Sequence, residues 1–165
     1  MYESILHGDA VNSYNAKKQQ KNKKNSGKKI LAMALAVVLL IGVGVGGRGA
    51  AVLNGLKDEE IIGLCDVDWK YADPIFKRYP NAKKYNDYKV MFAEMLDQAD
   101  AVVVATADHT HAIIAAEAIA AGKHVYCEKP LTHSVYESRL LTKLAAKHKV
   151  ATQMGNQGAS GEGVR

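Results

Sequence analysis

Cysteine is scarce in this chain. Two residues in 165 exclude a disulfide framework, and Cys65 and Cys127 each stand at the end of an apolar run, where a free buried thiol is expected. No internal repeat is found, so the fold is not an array of small repeated units. Excess charge is also missing from the body of the chain. The formal net charge is +5, but residues 1–29 carry seven lysines against Glu3 and Asp9, and residues 30–165 hold fifteen basic and fifteen acidic residues. The basicity belongs to a tail, which argues against a folded nucleic-acid-binding face. That tail lacks periodicity and is rich in Lys, Asn and Gln, the composition of a disordered segment.

What is present is one domain's worth of core. The length suits one ordinary domain and not comfortably two, and 48% hydrophobic with 24% charged residues is the balance of a soluble globular protein. A continuous apolar run, ILAMALAVVLLIGVGV, covers residues 30–45 directly after lysines. Two readings stay open for it. It resembles an export or anchor segment, but it is short of the roughly 20 residues a spanning helix needs and has no persuasive small-residue cleavage site. Its second half also suits the first buried strand of a parallel sheet. Residues 30–37 are therefore read as an apolar leader or anchor-like segment, with membrane contact through 30–45 as the alternative to a cytoplasmic protein.

From Val38 onward, apolar β-like runs alternate with helical stretches. The runs at 38–43, 60–66, 82–85, 101–106, 123–128 and 150–154 read as strands, and those near 48–57, 69–79, 88–97, 110–121 and 134–148 as helices. In the fourth helix, Ile113, Ile114, Ala118 and Ala121 fall on one stripe. Short apolar strands without alternation imply a sheet covered on both faces, and strand–helix repeats imply parallel βαβ units with right-handed crossovers. The expected fold is a doubly wound α/β domain of the Rossmann type over 38–158.

Such a sheet binds its ligand outside the carboxyl ends of the strands. The residues after each strand are GVGGRG (44–49), DVD (66–68), ADHTH (107–111), KPLTH (129–133) and GNQG (155–158). Polar, glycine and histidine residues thus gather on one edge. Gly44, Gly46 and Gly49 fit G-x-G-x-x-G after a strand and at the start of a helix, a pattern for a tight turn, a close approach to a pyrophosphate and close helix packing. An overlapping register, Gly42, Gly44 and Gly47, would begin the loop inside the strand. Asp66 follows 22 positions after Gly44, where a carboxylate accepts hydrogen bonds from the adenosine ribose. It favours NAD; Arg48 keeps NADP open. These features alone select a nucleotide and not a reaction, since an adenosine-binding methyltransferase would suit them too.

The block ATADHTHAIIAAEAIAAGKHVYCEKPLTHS (105–134), with AGKHVYCEKPLTH (121–133) as its most specific piece and ATQMGNQG (151–158) after it, resembles the Gfo/Idh/MocA family of NAD(P)-dependent oxidoreductases. The resemblance runs from about Gly44 to Arg165. It implies hydride transfer between a nicotinamide and a carbinol of a sugar, polyol or cyclitol, with Lys129 of the Glu-Lys-Pro motif as the catalytic residue. It implies cofactor contacts from Gly44, Gly46, Gly47, Arg48, Gly49 and Asp66. The turn Thr106, Asp108, His109 and His111 and the later residues Glu128, Lys129, Asn156 and Gln157 complete that set. Ala107 stands where many relatives carry proline. It implies further a second α/β domain beyond Arg165 that supplies most of the substrate pocket, with 159–165 opening that continuation, and a homo-oligomeric full-length enzyme. Twin arginines, which open some relatives, do not occur here.

The chemistry suits those residue types. A lysine ammonium beside the carbinol oxygen stabilises developing alkoxide charge and can relay its proton. Glu128 could hold that lysine by a salt bridge or by an indirect supporting contact, and Pro130 biases it to extended backbone. His111 and His133 each begin a helix, where capping or solvation is the plain alternative to a ligand contact. His109, His111 and Cys127 match no closed zinc pattern, and no metal is expected. Asn156 and Gln157 suit a carboxamide or sugar hydroxyl. A non-catalytic nucleotide-binding module, tethered to a membrane, is the competing function.

Overall fold

The computed structural model describes residues 37–160; the basic tail and most of the 30–37 segment lie outside them. Six parallel strands form one sheet: β1 Leu39–Val43, β2 Glu60–Cys65, β3 Lys83–Tyr85, β4 Ala101–Val104, β5 His124–Glu128 and β6 Thr152–Gly155, in the order β3-β2-β1-β4-β5-β6. Five helices connect them: α1 Arg48–Gly55, α2 Trp69–Arg78, α3 Tyr88–Met95, α4 His111–Ala120 and α5 Val135–His148. All six strands and all five helices of the sequence reading are present, with their ends within about two residues of those expected. This is the doubly wound Rossmann topology, whose strand order reverses at β1.

The central strands are apolar on both sides because helices cover both faces. Leu40 and Val103 pack with Leu53 of α1 and with Ala72, Ile75 and Phe76 of α2 on one face. On the other, Ile41 approaches Met91 of α3 across Gly63, and α4 packs on β4, β5 and α5. The expected single stripe on α4 is replaced by burial almost all round, from Ala112 to Ala120 except Ile113 and Glu117. Alanine makes this workable, since five of ten residues are alanine and the helix can sit close to both sheet and α5. A groove of about 630 Å³ on the α1 face, between Val52 and Leu56 and the strand residues Val103, Tyr126 and Thr152, has no helix over it among the described residues. No helix among them is long and apolar enough to cross a membrane.

Helix starts follow local chemistry. Asp68 accepts from the Tyr71 amide and Asp87 from the Lys89 amide, and Ser134 with Glu137 forms a capping box at α5, each satisfying an amide the helix leaves unpaired. Lys149 ends α5 in the left-handed region at φ 54°. Leu53 is fully buried, whereas Met154 lies exposed on β6. Leu53→Ala should cost about 2–5 kcal/mol and Met154→Ala under about 0.5 kcal/mol. Denaturant titration followed by circular dichroism checks both.

Candidate cofactor and active site

The carboxyl ends of β1, β2 and β4 open into a cleft of about 590 Å³ whose lining includes Gly44, Gly46, Asp66, Tyr71, Thr106 and Ile113. β1 ends at Val43 and the loop begins at Gly44, so the register Gly44, Gly46, Gly49 is the one the backbone adopts and Gly42 stays within the strand. Gly44 sits at φ 74°, and a Cβ there would lie 2.6 Å from the Ala105 carbonyl oxygen. A Cβ on Gly49 would lie 2.0 Å from the Gly44 carbonyl oxygen. The loop therefore turns tightly and α1 presses onto it, as the sequence pattern required.

Helix α1, like α4, has no side-chain cap and no acidic residue in its first turn. Its amino terminus thus has no side-chain cap to compete with a bound anion. Asp66 anchors the loop from the next strand: one carboxylate oxygen accepts from the Gly46 amide at 2.8 Å and the other from the Asp68 amide at 3.0 Å. A carboxylate offers about four acceptor positions, so the ones left can take two ribose hydroxyls.

Tyr71 was not anticipated. A Cβ on Gly46 would lie 2.5 Å from its ring, and one on Gly47 2.4 Å from its hydroxyl, so the ring lies across the glycine loop. Its placement in the first turn of α2, five residues after Asp66, was the available signal.

Glu128 holds the second centre. It is 3% exposed, and one oxygen accepts from Arg48 Nε at 3.1 Å, from the Tyr126 hydroxyl at 3.1 Å and from Gln157 Nε2. Its other oxygen has no partner among the described residues. Burial pushes this carboxyl up, but the hydrogen bonds from Gln157, Arg48 and Tyr126 and the Arg48 charge outweigh it and hold it below the ordinary 4.5. Of the two contacts expected with Lys129, the direct salt bridge is not formed among the described residues, because the strand pleat turns Glu128 to the α1 face with Tyr126. Lys129 is exposed and begins a turn through the cis Lys129–Pro130 bond. Arg48 faces Glu128 and does not line the Asp66 cleft. Tyr126, two residues before Glu128 on one strand face, could have been found from that alternation.

The remaining residues divide. Thr106 lines the cleft, and its hydroxyl accepts from Thr110 Oγ1 at 2.7 Å. Asp108 and His109 lie exposed in a single 3₁₀ turn before α4. His111 caps nothing; it is 1% exposed and its ring faces the carbonyls of Thr106 and Pro130. Asn156 is exposed beyond β6, while Gln157 reaches back to Glu128. Cys65 and Cys127 are free and buried, their thiols pushed up to about 12, mainly by burial.

A model of an oxidoreductase family with an NAD-binding Rossmann fold, GFO_IDH_MocA, matches residues 36–156. The chain belongs to this family. Glucose-6-phosphate 3-dehydrogenase of Bacillus subtilis is 28% identical over 106 residues, covering 64% of this chain and 29% of that enzyme. Inositol 2-dehydrogenase of Salmonella typhimurium is 28% identical over 104 residues, 62% of this chain and 30% of the relative. The structure of GenD2 from gentamicin A biosynthesis, in complex with NAD, superposes with TM-score 0.64 at 29% identity, over 78% of this chain and 37% of that one. The chain thus spans under a third of the curated relatives it matches, and the matched part is this family's NAD-binding domain.

The residues fit the dinucleotide. The glycine loop leaves a cradle that side chains would fill, the uncapped α1 terminus suits a pyrophosphate, and Asp66 keeps acceptor positions for ribose hydroxyls. The Glu128 cluster makes one prediction. Because its folded carboxyl is held down, its contribution to stability is complete above the ordinary carboxylate range and is lost as pH falls through the folded value. Glu128→Gln should cost about 1–3 kcal/mol at neutral pH and flatten the acid limb of the stability profile, measured by thermal unfolding at stepped pH.

Proposed function

We propose that this domain is the cofactor half of an NAD-dependent dehydrogenase acting on a carbinol of a sugar, polyol or cyclitol, with Lys129 as its catalytic residue. The observation that carries the reading is the convergence, on one sheet edge, of the glycine loop with Asp66 and of the Lys129 turn. The named activities of the relatives, on glucose 6-phosphate and on inositol, support a sugar-like substrate. A nicotinamide bound in the cleft supplies the hydride acceptor.

The chain's own residues do the rest. Gly44, Gly46, Gly47 and Gly49 admit the pyrophosphate to the amino terminus of α1. Asp66, already holding the loop, accepts from the ribose and repels a 2′-phosphate. Thr106, Asp108 and His109 line the route from ribose to nicotinamide, and His111 shapes that turn from beneath. Lys129, exposed at the end of β5, stabilises alkoxide charge on the substrate oxygen and carries its proton away. Glu128, Arg48 and Gln157 hold the strand end that presents it, and Asn156 stands beside them for a carboxamide or hydroxyl. The substrate pocket is assigned to a further α/β domain and the active form to a homo-oligomer. NADP, and membrane contact through 30–45, are secondary readings.

Titration with NADH, followed by nucleotide fluorescence, should show saturable binding; none with NADH or NADPH would remove the cofactor assignment. Asp66→Asn keeps one acceptor for the loop and should weaken NADH roughly ten- to a hundredfold, for loss of about 1.5–3 kcal/mol, while weakening NADPH less. Equal weakening would count against the ribose contact. In a full-length relative, substituting alanine for the lysine that corresponds to Lys129 should lower turnover about 10²- to 10⁴-fold with little change in cofactor affinity. A fall in affinity alone would disprove the catalytic role.

A further inference from the structure

His111 is the only buried histidine among the described residues, and both its ring nitrogens face oxygen atoms that can only accept. Nδ1 lies 2.7 Å from the Pro130 carbonyl oxygen and Nε2 3.0 Å from that of Thr106. A neutral imidazole carries one N–H, so it can satisfy one of these carbonyls while its bare lone pair faces the other. The doubly protonated ring donates to both. The two carbonyls belong to the turns that matter most: Thr106 lines the cofactor cleft, and Pro130 follows Lys129. No other side chain links these two turns by a hydrogen bond among the described residues.

We propose that His111 is a positioning residue that fixes the Lys129 turn against the cofactor-lining turn, one ring nitrogen facing the carbonyl of each. This rests on the cofactor reading above. Without the ring, the turn after β4 loosens and the cofactor binds less tightly.

The test is the affinity of the 165-residue chain for NADH after substitution at His111. His111→Ala, which removes both ring nitrogens, should weaken NADH roughly three- to tenfold, as expected for one hydrogen bond, and His111→Gln, whose amide can still donate to one carbonyl, should recover part of that loss. Unchanged affinity in His111→Ala, or no recovery in His111→Gln, overturns the proposal. Should His111→Ala fail to fold, His111→Gln decides: affinity below that of the wild type supports the ties, and wild-type affinity overturns them. Absence of NADH binding by the wild-type chain would instead defeat the cofactor reading, and this role with it.

Discussion

A carboxylate buried with three donors is the contact on which the site edge depends. Glu128 gathers Arg48 from the first residue of α1, Tyr126 from its own strand and Gln157 from the segment after β6. A buried charge is tolerated only when it is paired and hydrogen-bonded, and here the pairing reaches across 80 positions of sequence. One consequence is steric: a Cβ on Gly155 would lie 2.4 Å from the Tyr126 hydroxyl and 2.7 Å from Glu128, so β6 ends on a residue without a side chain. Another is electrostatic. Arg48, the only charged side chain in the glycine loop, is held toward the end of β5, and the cleft around Asp66 keeps its acidic character.

Two kinds of constraint therefore position the site. The glycine loop is set by backbone contact, with Gly49 against Gly44, and is steered by Asp66 through the Gly46 amide. The Lys129 turn is set by side chains, Glu128 on one face of the sheet and His111 on the other. The first kind is independent of charge. The second depends on it at Glu128.

The fold was legible because its physical signals are local. Apolar runs of four to six residues, spaced by helical stretches, can satisfy a parallel sheet and little else. The glycine loop and Asp66 were legible for the same reason, since a turn and a strand end leave short patterns. The partners of Glu128 were not: the sequence suggested its neighbour Lys129, whereas the pleat of β5 sends the two apart and brings in Arg48. His111 was read as a cofactor contact or a helix-start residue, because nothing in the linear order shows that two carbonyls would close around its ring. Tyr71 was missed because its contact is with glycines, which leave no complementary side chain to recognise. The stripe on α4 was too narrow a reading, as an alanine-rich helix can be buried on more than one side.

The sheet is also unevenly clothed. Its strands from β2 to β4 have helices on both faces, while β5 and β6 have α4 and α5 on one face and an apolar groove on the other among the described residues. Ile41 in β1 is wholly buried, yet Thr152, Gln153 and Met154 of β6 are exposed. Local opening follows burial, so amide hydrogens should exchange fastest at β6 and slowest at β1. The half of the sheet that holds the nucleotide loop is the rigid one, and the half that presents Lys129 is the one able to breathe.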